Sequence, residues 1–300
     1  MNNERYKYYR DIRLWPLREN LNYEQWLENF SDGEEKEIAQ RILDFFIYIP
    51  DGMINQMLST VIGKCGYIFK KKWGDSWSDA DFKNNCWYSL MPGEELSITD
   101  SGYGFNHKLK NIIHIPENRF VKYEELYQKL ASSENQNVIL VDDFVGSGHQ
   151  AIVAWTREED NNDKKRKSFQ EIVIKNKHCV IYAPLIVNEM GYKLITSKCK
   201  KLNLVYIYRL DEKYSIFNKN CPCWNGDLNL YNKAVDLITN KSNMLGIPND
   251  KKKPNYYKGY KKQGLAIAFE QFGMPDACPP FFYWETETWK PLIKKVYSRL

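Results

Sequence analysis

The stretch Val138-Ile-Leu-Val-Asp142-Asp143-Phe144-Val145-Gly146-Ser147-Gly148-His149-Gln150 constrains the fold of this chain more than any other. The run NVILVDD at 137–143 is continuously apolar up to its acids, the pattern of a strand covered on both faces, and HQAIVAWT from His149 reads as a helix. A buried strand, a Gly/Ser loop and a helix in this order commit the surrounding chain to an α/β fold with a parallel sheet. The ligand crevice of such a sheet opens at the carboxyl ends of its strands, so adjacent Asp142 and Asp143 offer acceptors to the 2- and 3-hydroxyls of a ribose. In the loop Val145 to His149, two glycines let backbone N–H groups approach an oxyanion, and the following helix directs its positive end at a phosphate. A sugar phosphate satisfies both halves. An acidic pair after a strand is common in α/β proteins; the glycine loop and the helix behind it are what make this pair informative.

Around that stretch the pattern has two parts. Residues 1–75 read as three short helices: YEQWLENF from Tyr23, EEKEIAQRILDFFIYI after the Ser31-Asp32-Gly33 break, and MINQMLSTVIGKC with Asp51 as its N-cap. Such a trio is compatible with a winged-helix-like DNA-binding domain and equally with a plain helical packing module. Lys70, Lys71 and Lys72 form the best basic patch, which also reads as a solvated face. Residues 76–300 alternate. CWYSL at 86–90, HCVIYAPLIV from His178 and LNLVYIY from Leu202 read as strands. The stretch from Ser101, YEELYQKLA from Tyr123 and NEMGYKLITSK read as helices. Residues 157–170, with both charge signs and no apolar period, read as a mobile insertion. From about Asn218 the pattern is irregular until GLAIAFE at 264–270 and the aromatic end PPFFYWETETW.

Composition excludes other classes. With 43% hydrophobic residues the chain is not disordered, and 43 Lys+Arg against 38 Asp+Glu leave a net charge of +5, too mild for a nucleic-acid coat protein. No stretch approaches the roughly 18 apolar residues of a membrane helix, and the start lacks a secretory apolar core, so a cytoplasmic location without membrane contact is expected. Seven scattered cysteines suit reduced thiols. Cys221-Pro-Cys223, with Cys199 and Cys278, lacks the second paired motif of a zinc site, and no metal ligand is assigned from the sequence. Phe281, Phe282, Tyr283 and Trp284 suit a core or a base-stacking hood, and receive no role.

The strand, acids and loop resemble the phosphoribosyl pyrophosphate signature of type I phosphoribosyltransferases. By that resemblance Asp142 and Asp143 are the catalytic, ribose-binding pair, and Val145, Gly146, Ser147, Gly148 and His149 are the 5-phosphate loop. Many members have Thr-Thr-Gly and a further Thr two residues on, where this chain has Gly146-Ser147-Gly148 and Gln150, two hydroxyl donors fewer. Paired with Thr99-Asp100-Ser101-Gly102-Tyr103, the stretch is similar to the divergent phosphoribosyltransferase-like effectors of bacterial conflict systems, including those encoded beside retron reverse transcriptases. This resemblance covers residues 76–300 and implies a pyrophosphate loop at Thr99, Asp100, Ser101 and Gly102. An acid beside pyrophosphate argues for Mg²⁺ between them.

The implied reaction is displacement at the anomeric carbon through an oxocarbenium-like state, with phosphoribosyl pyrophosphate or a nucleotide as substrate. Lys164, Lys165, Arg166 and Lys167 correspond by order to the family's closing loop. The resemblance further implies a toxic anti-phage effector restrained by a reverse transcriptase with its DNA or RNA product, and an N-terminal domain in direct contact with DNA. The alternative it leaves is a regulator that has lost catalysis, senses phosphoribosyl pyrophosphate or a nucleotide, and binds DNA.

Overall fold

Apolar side chains at helical spacing build α1 (Arg5–Asp11), α2 (Tyr23–Leu27) and α3 (Glu34–Phe45), and on α3 Ile38, Ala39, Ile42 and Leu43 form the buried stripe. Phe46 turns the chain to extended backbone, and Ile-Tyr-Ile continues as β1 (Ile47–Ile49). After Pro50 come α4 (Asp51–Trp73) and α5 (Asp79–Asn85), the latter opened by a reciprocal capping box between Ser78 and Asp81. The α/β alternation then runs through β2 (Cys86–Leu90), α6 (Gly102–Asn111), α7 (Tyr123–Ala131), β3 (Asn137–Val145) and α8 (His149–Thr156). It continues with β4 (Glu158–Asp160), β5 (Arg166–Ser168), α9 (Phe169–Lys175), β6 (Cys179–Asn188), α10 (Glu189–Lys198), β7 (Leu202–Leu204) and β8 (Tyr208–Leu210). The last part holds α11 (Leu228–Met244) and β9 (Ile267–Phe269). The computed structural model describes residues 5–15, 21–74, 77–92, 102–160, 166–250 and 254–294.

Two compact units result, one of residues 52–210 and one joining residues 1–51 to 211–300. In the first, β2, β3 and β6 lie side by side and parallel, and both β7 and β8 pair with β6. The last two are pieces of one edge strand, since Val205 and Ile207 between them still donate to the carbonyls of Tyr182 (2.9 Å) and Leu185 (3.0 Å). All ten residues of β6 are buried, as a continuous apolar run in a parallel sheet requires. Val138, Leu140, Val180 and Tyr182 from the sheet pack with Leu126 and Leu130 of α7, Trp155 of α8, Ile172 of α9 and Ile195 of α10. The α/β fold with a parallel sheet is therefore as expected.

In the other unit β1 pairs in parallel with β9, Ile47 opposite Ile267 and Ile49 opposite Phe269. Trp26 is fully buried against the rings of Phe30, Phe281 and Phe282, and its indole N–H and that of Trp289 both donate to the carbonyl of Phe281.

Several expectations are corrected. The units are not divided at residue 75, because a β-ladder ties residues 47–49 to 267–269 while α4, which runs on to Trp73, belongs almost wholly to the α/β unit. The winged-helix-like reading is not supported: β1 is a parallel partner of β9 rather than part of an antiparallel wing. The C-terminal part is more regular than its pattern suggested, since Asp227 caps the 17-residue α11 by accepting from the Leu230 N–H. Its aromatics Phe281 and Phe282 are core. In the 157–170 segment β4 and β5 pair antiparallel, and Ser168 and Glu171 make a capping box that starts α9. Phe169, expected in the mobile insertion, is instead buried and stacked on Tyr123 at 4.8 Å. The seven cysteines are all buried and none forms a disulfide. Among the described residues, no helix is long and apolar enough to cross a membrane.

Candidate functional site

The acid pair lies inside β3 rather than at its end. β2 pairs with residues 137–141 only, whereas β6 follows β3 through to Val145. The ladder on the β2 side thus stops where the acids begin, with the Met91 N–H on the Val141 carbonyl at 3.2 Å as its last link. The Tyr182 hydroxyl, from the neighbouring strand, donates to Asp142 Oδ2 at 2.5 Å. The N–H of Asp143 donates to Asp142 Oδ1 at 2.9 Å, and that of Phe144 to Asp143 Oδ1 at 2.8 Å. The two carboxyls also hydrogen-bond each other.

Burial pushes the Asp142 carboxyl well above the usual carboxylate range, the charge of Asp143 adds to this, and the Tyr182 hydroxyl opposes it. Asp143 is raised as well, again by burial, against the hydrogen bonds it accepts from Asp142 and the Phe144 N–H. The two carboxyls face each other's charge and titrate as a unit, both displaced upward by burial.

Immediately beyond the acids the chain turns at Gly148, whose φ of +73° makes it the left-handed N-cap of α8. The loop is packed glycine on glycine. A β-carbon on Gly148 would come within 3.1 Å of the Gly191 Cα and carbonyl oxygen, and one on Gly191 would come within 2.6 Å of the Gly146 oxygen and Val145 Cγ1. The first turn of α10 is thus pressed against the loop, while Asn188 caps that helix by accepting from the Met190 N–H at 2.9 Å. Sequence reading missed Gly191. Its signal was a glycine in the interior of the helical run NEMGYKLITSK, which costs about 1 kcal/mol in helix propensity and calls for a packing reason. Within the loop the Ser147 hydroxyl accepts from the His149 N–H at 3.3 Å, and His149 itself is exposed. Gln150 stands where many phosphoribosyltransferases place a threonine. Its amide donates to the Pro92 carbonyl at 2.7 Å, tying α8 to the residues that follow β2.

Of the sequence-derived site, Asp142, Asp143 and Val145 to His149 form one continuous feature. Thr99, Asp100 and Ser101 fall outside the described residues, and Gly102 is the first residue of α6, which packs on β3. Lys164 and Lys165 also fall outside them. Lys167 lies in β5, with its carbonyl held by the Tyr127 hydroxyl at 2.8 Å. Tyr182 is the other functional side chain that sequence reading missed, since nothing local distinguishes it from the apolar residues around it. Among the described residues there is no cluster of three or more His, Cys, Asp or Glu side chains fit to hold a metal by themselves.

Among solved structures, one similar chain is a hypothetical protein from Neisseria gonorrhoeae with bound ppGpp, at 11% identity and a TM-score of 0.31 over 55% of this chain and 85% of that one. A likeness of that order carries no argument about fold or ligand. No curated protein matches the chain. The model of the PRTase-CE family matches residues 23–295, which takes in the parallel sheet, the acid pair, the loop and most of both flanking segments. With nearly its whole length matched, the chain belongs to the PRTase-CE family.

Proposed function

We propose that the site binds phosphoribosyl pyrophosphate or a nucleotide and makes or breaks the N-glycosidic bond at the anomeric carbon. The observation that carries this reading is the adjacent pair Asp142–Asp143, held by the Tyr182 hydroxyl, placed where the β2 ladder ends and next to a glycine loop packed against Gly191. In synthesis, a base nitrogen bonds to the anomeric carbon, any proton it carries passes to water, and pyrophosphate departs with the C–O electron pair. In cleavage, water bonds to that carbon, the base departs with the C–N pair, and a proton passes from the water to the base. Either way positive charge develops on the ribose. Carboxylates that accept its hydroxyl hydrogens stabilise that charge, and backbone N–H groups at the start of α8 orient the 5-phosphate.

The donor set fits Mg²⁺. Among the described residues, two adjacent carboxylates with no cluster of three ligands suit a hard cation that keeps water and substrate oxygens in its shell, rather than one that needs a full protein cage. Asp142 and Asp143 would hold it, and when bound it would neutralise the diphosphate. On the resemblance to conflict-system effectors alone, we further propose a toxic effector in anti-phage defence, held silent in the cytoplasm by a reverse transcriptase and its DNA or RNA product. Gln150 favours a second reading, a sensor without turnover. With its amide bonded to Pro92, Ser147 is the sole hydroxyl side chain from Val145 to Gln150.

The test is mass spectrometry of phosphoribosyl pyrophosphate, NAD and the nucleotide pools after incubation of the protein with Mg²⁺ and a metabolite extract, beside Asp142→Asn and Asp143→Asn. Loss of one metabolite only with intact acids supports an enzyme and names its substrate. Saturable binding of phosphoribosyl pyrophosphate without any product supports the sensor, and absence of both sinks the reading. Growth arrest on expression that disappears in Asp143→Asn tests the effector role, and arrest that persists in the variant counts against it.

A further inference from the structure

The outer half of α4, residues 77–83 and the end of α6 enclose a cleft of about 410 Å³ in the α/β unit, away from the residues of the acid-pair site. Ile62 and Phe82 are buried at its base, and Gly63 lines its open side, where an added β-carbon would meet nothing within 4 Å. Tyr67, 73% exposed, and Trp77 supply aromatic walls; Lys70 and Lys83 supply positive charge; Ser59 and Ser78 supply hydroxyls. The Trp77 indole N–H is buried without a hydrogen-bond partner, an uncommon state for a donor of that strength. The carboxylate of Asp81 accepts from the N–H and hydroxyl of Ser78, at 3.0 and 2.6 Å.

These features continue beyond the cleft. Lys71 and Lys72 are exposed on the next turn of α4, the Lys72 ammonium sits 4.6 Å over the Trp73 ring, and the Trp73 and Trp77 rings lie 19° from parallel at 6.3 Å. From Tyr67 to Trp73 the helix rises about 9 Å. A plain solvated face explains the lysines but not aromatic rings interleaved with them, nor an unpaired buried donor beside a space large enough for a small ligand.

We propose that the cleft and the Lys70–Trp73 turn bind an unpaired nucleic-acid strand. One base stacks on Tyr67 and Trp77 in the cleft, and the backbone phosphates run along Lys83, Lys70 and Lys72. Stacking platforms set among lysines are how single strands are held without sequence preference. The cation–aromatic track extends past the cleft, which favours a strand over a free mononucleotide.

The experiment is fluorescence anisotropy of a labelled oligothymidylate of about 20 nucleotides with the full chain, at about 50 mM salt and in a salt series. Tyr67→Ala is expected to weaken binding about tenfold, within the range for loss of one stacked base. Lys83→Glu should weaken it and flatten the salt dependence. Gly63→Leu fills the cleft while keeping every charge, lies on an exposed helix position, and should weaken binding with no loss of folding by circular dichroism. Ultraviolet cross-linking of a 5-bromodeoxyuridine strand should label the peptides holding Tyr67 or Trp77. Absence of binding, wild-type affinity in both Tyr67→Ala and Gly63→Leu, or cross-links confined to other peptides each overturn the proposal. So does displacement of the strand by AMP at equal concentration, which would make the cleft a mononucleotide site.

Discussion

Replacing Gly191 by alanine separates the phosphate loop from the stability of the fold. The new β-carbon would lie 2.6 Å from both the Gly146 carbonyl oxygen and Val145 Cγ1, so α10 and the loop have to part by about 1 Å to restore ordinary contact. Overpacking of this kind costs about 1–3 kcal/mol, and the gain of an alanine in a helix interior returns about 1 kcal/mol of it. The net destabilisation is therefore about 0–2 kcal/mol, or at most about 8 °C in melting temperature for a unit of this size. The functional loss is larger, because a displacement of about 1 Å at a positioning element costs about a hundredfold.

The assay pairs thermal melting with calorimetric titration of phosphoribosyl pyrophosphate in Mg²⁺. Gly63→Ala serves as the control, since its β-carbon meets nothing within 4 Å on a helix of the same unit. That variant should melt at or above the parent temperature and bind unchanged. Gly191→Ala should melt slightly lower and bind at least tenfold more weakly. If Gly191→Ala binds as the parent does while the parent binds measurably, the packing of α10 does not set the loop, and the reasoning from the glycine contact is wrong.

Both acids of the pair have folded-state values above their unfolded ones, so the stability they contribute is fully present below the unfolded carboxylate range and is lost as pH rises through the folded values. Without ligand, Asp142→Asn should therefore melt above the parent at pH 8, with the difference shrinking towards pH 4; a parent curve insensitive to pH that matches the variant would refute the upward displacement of the pair. Tyr182→Phe removes the hydroxyl donor to Asp142 with little change of volume. It should cost about 1–2 kcal/mol in denaturant unfolding and move the pH dependence of ligand binding upwards, and an unchanged pH profile would count against Tyr182 as a positioning residue. Ser168→Ala removes the N-cap of α9 and half of its capping box, for an expected loss of about 1 kcal/mol in chemical denaturation. Hydrogen exchange should then quicken at residues 169–173, and unaltered protection there would show that Phe169 packing alone holds the helix.

Where local chemistry was enough, the reading of the chain and the structure agree closely. HQAIVAWT is α8 to the residue and CWYSL is β2 to the residue, because a glycine loop, an extended C-cap and a run of apolar residues mark their own ends. The acids and the loop were legible for the same reason, as their residue types are constrained by the ligand chemistry they suit. The pattern was weaker for α11, whose buried stripe is only Ala234, Leu237, Ile238 and Ser242 among asparagines and lysines. LNLVYIY reads as one strand, and Val205 and Ile207 keep its pairing to β6 going between Leu202–Leu204 and Tyr208–Leu210.

The alternation of apolar runs, breaks and charged residues determined by itself that this is an α/β chain with a parallel sheet, and it marked Asp142, Asp143 and the loop to His149 as the candidate site. Only the tertiary structure decided that Tyr182 holds Asp142, that Gly191 presses on Gly146, and that residues 47–49 pair with 267–269. Those partners lie from about 40 to about 220 residues apart along the chain, and periodicity reports the backbone state of each segment but not which distant segment it meets. That choice is made when buried surface repays the entropy of closing the intervening loop, and it leaves no mark on either segment alone.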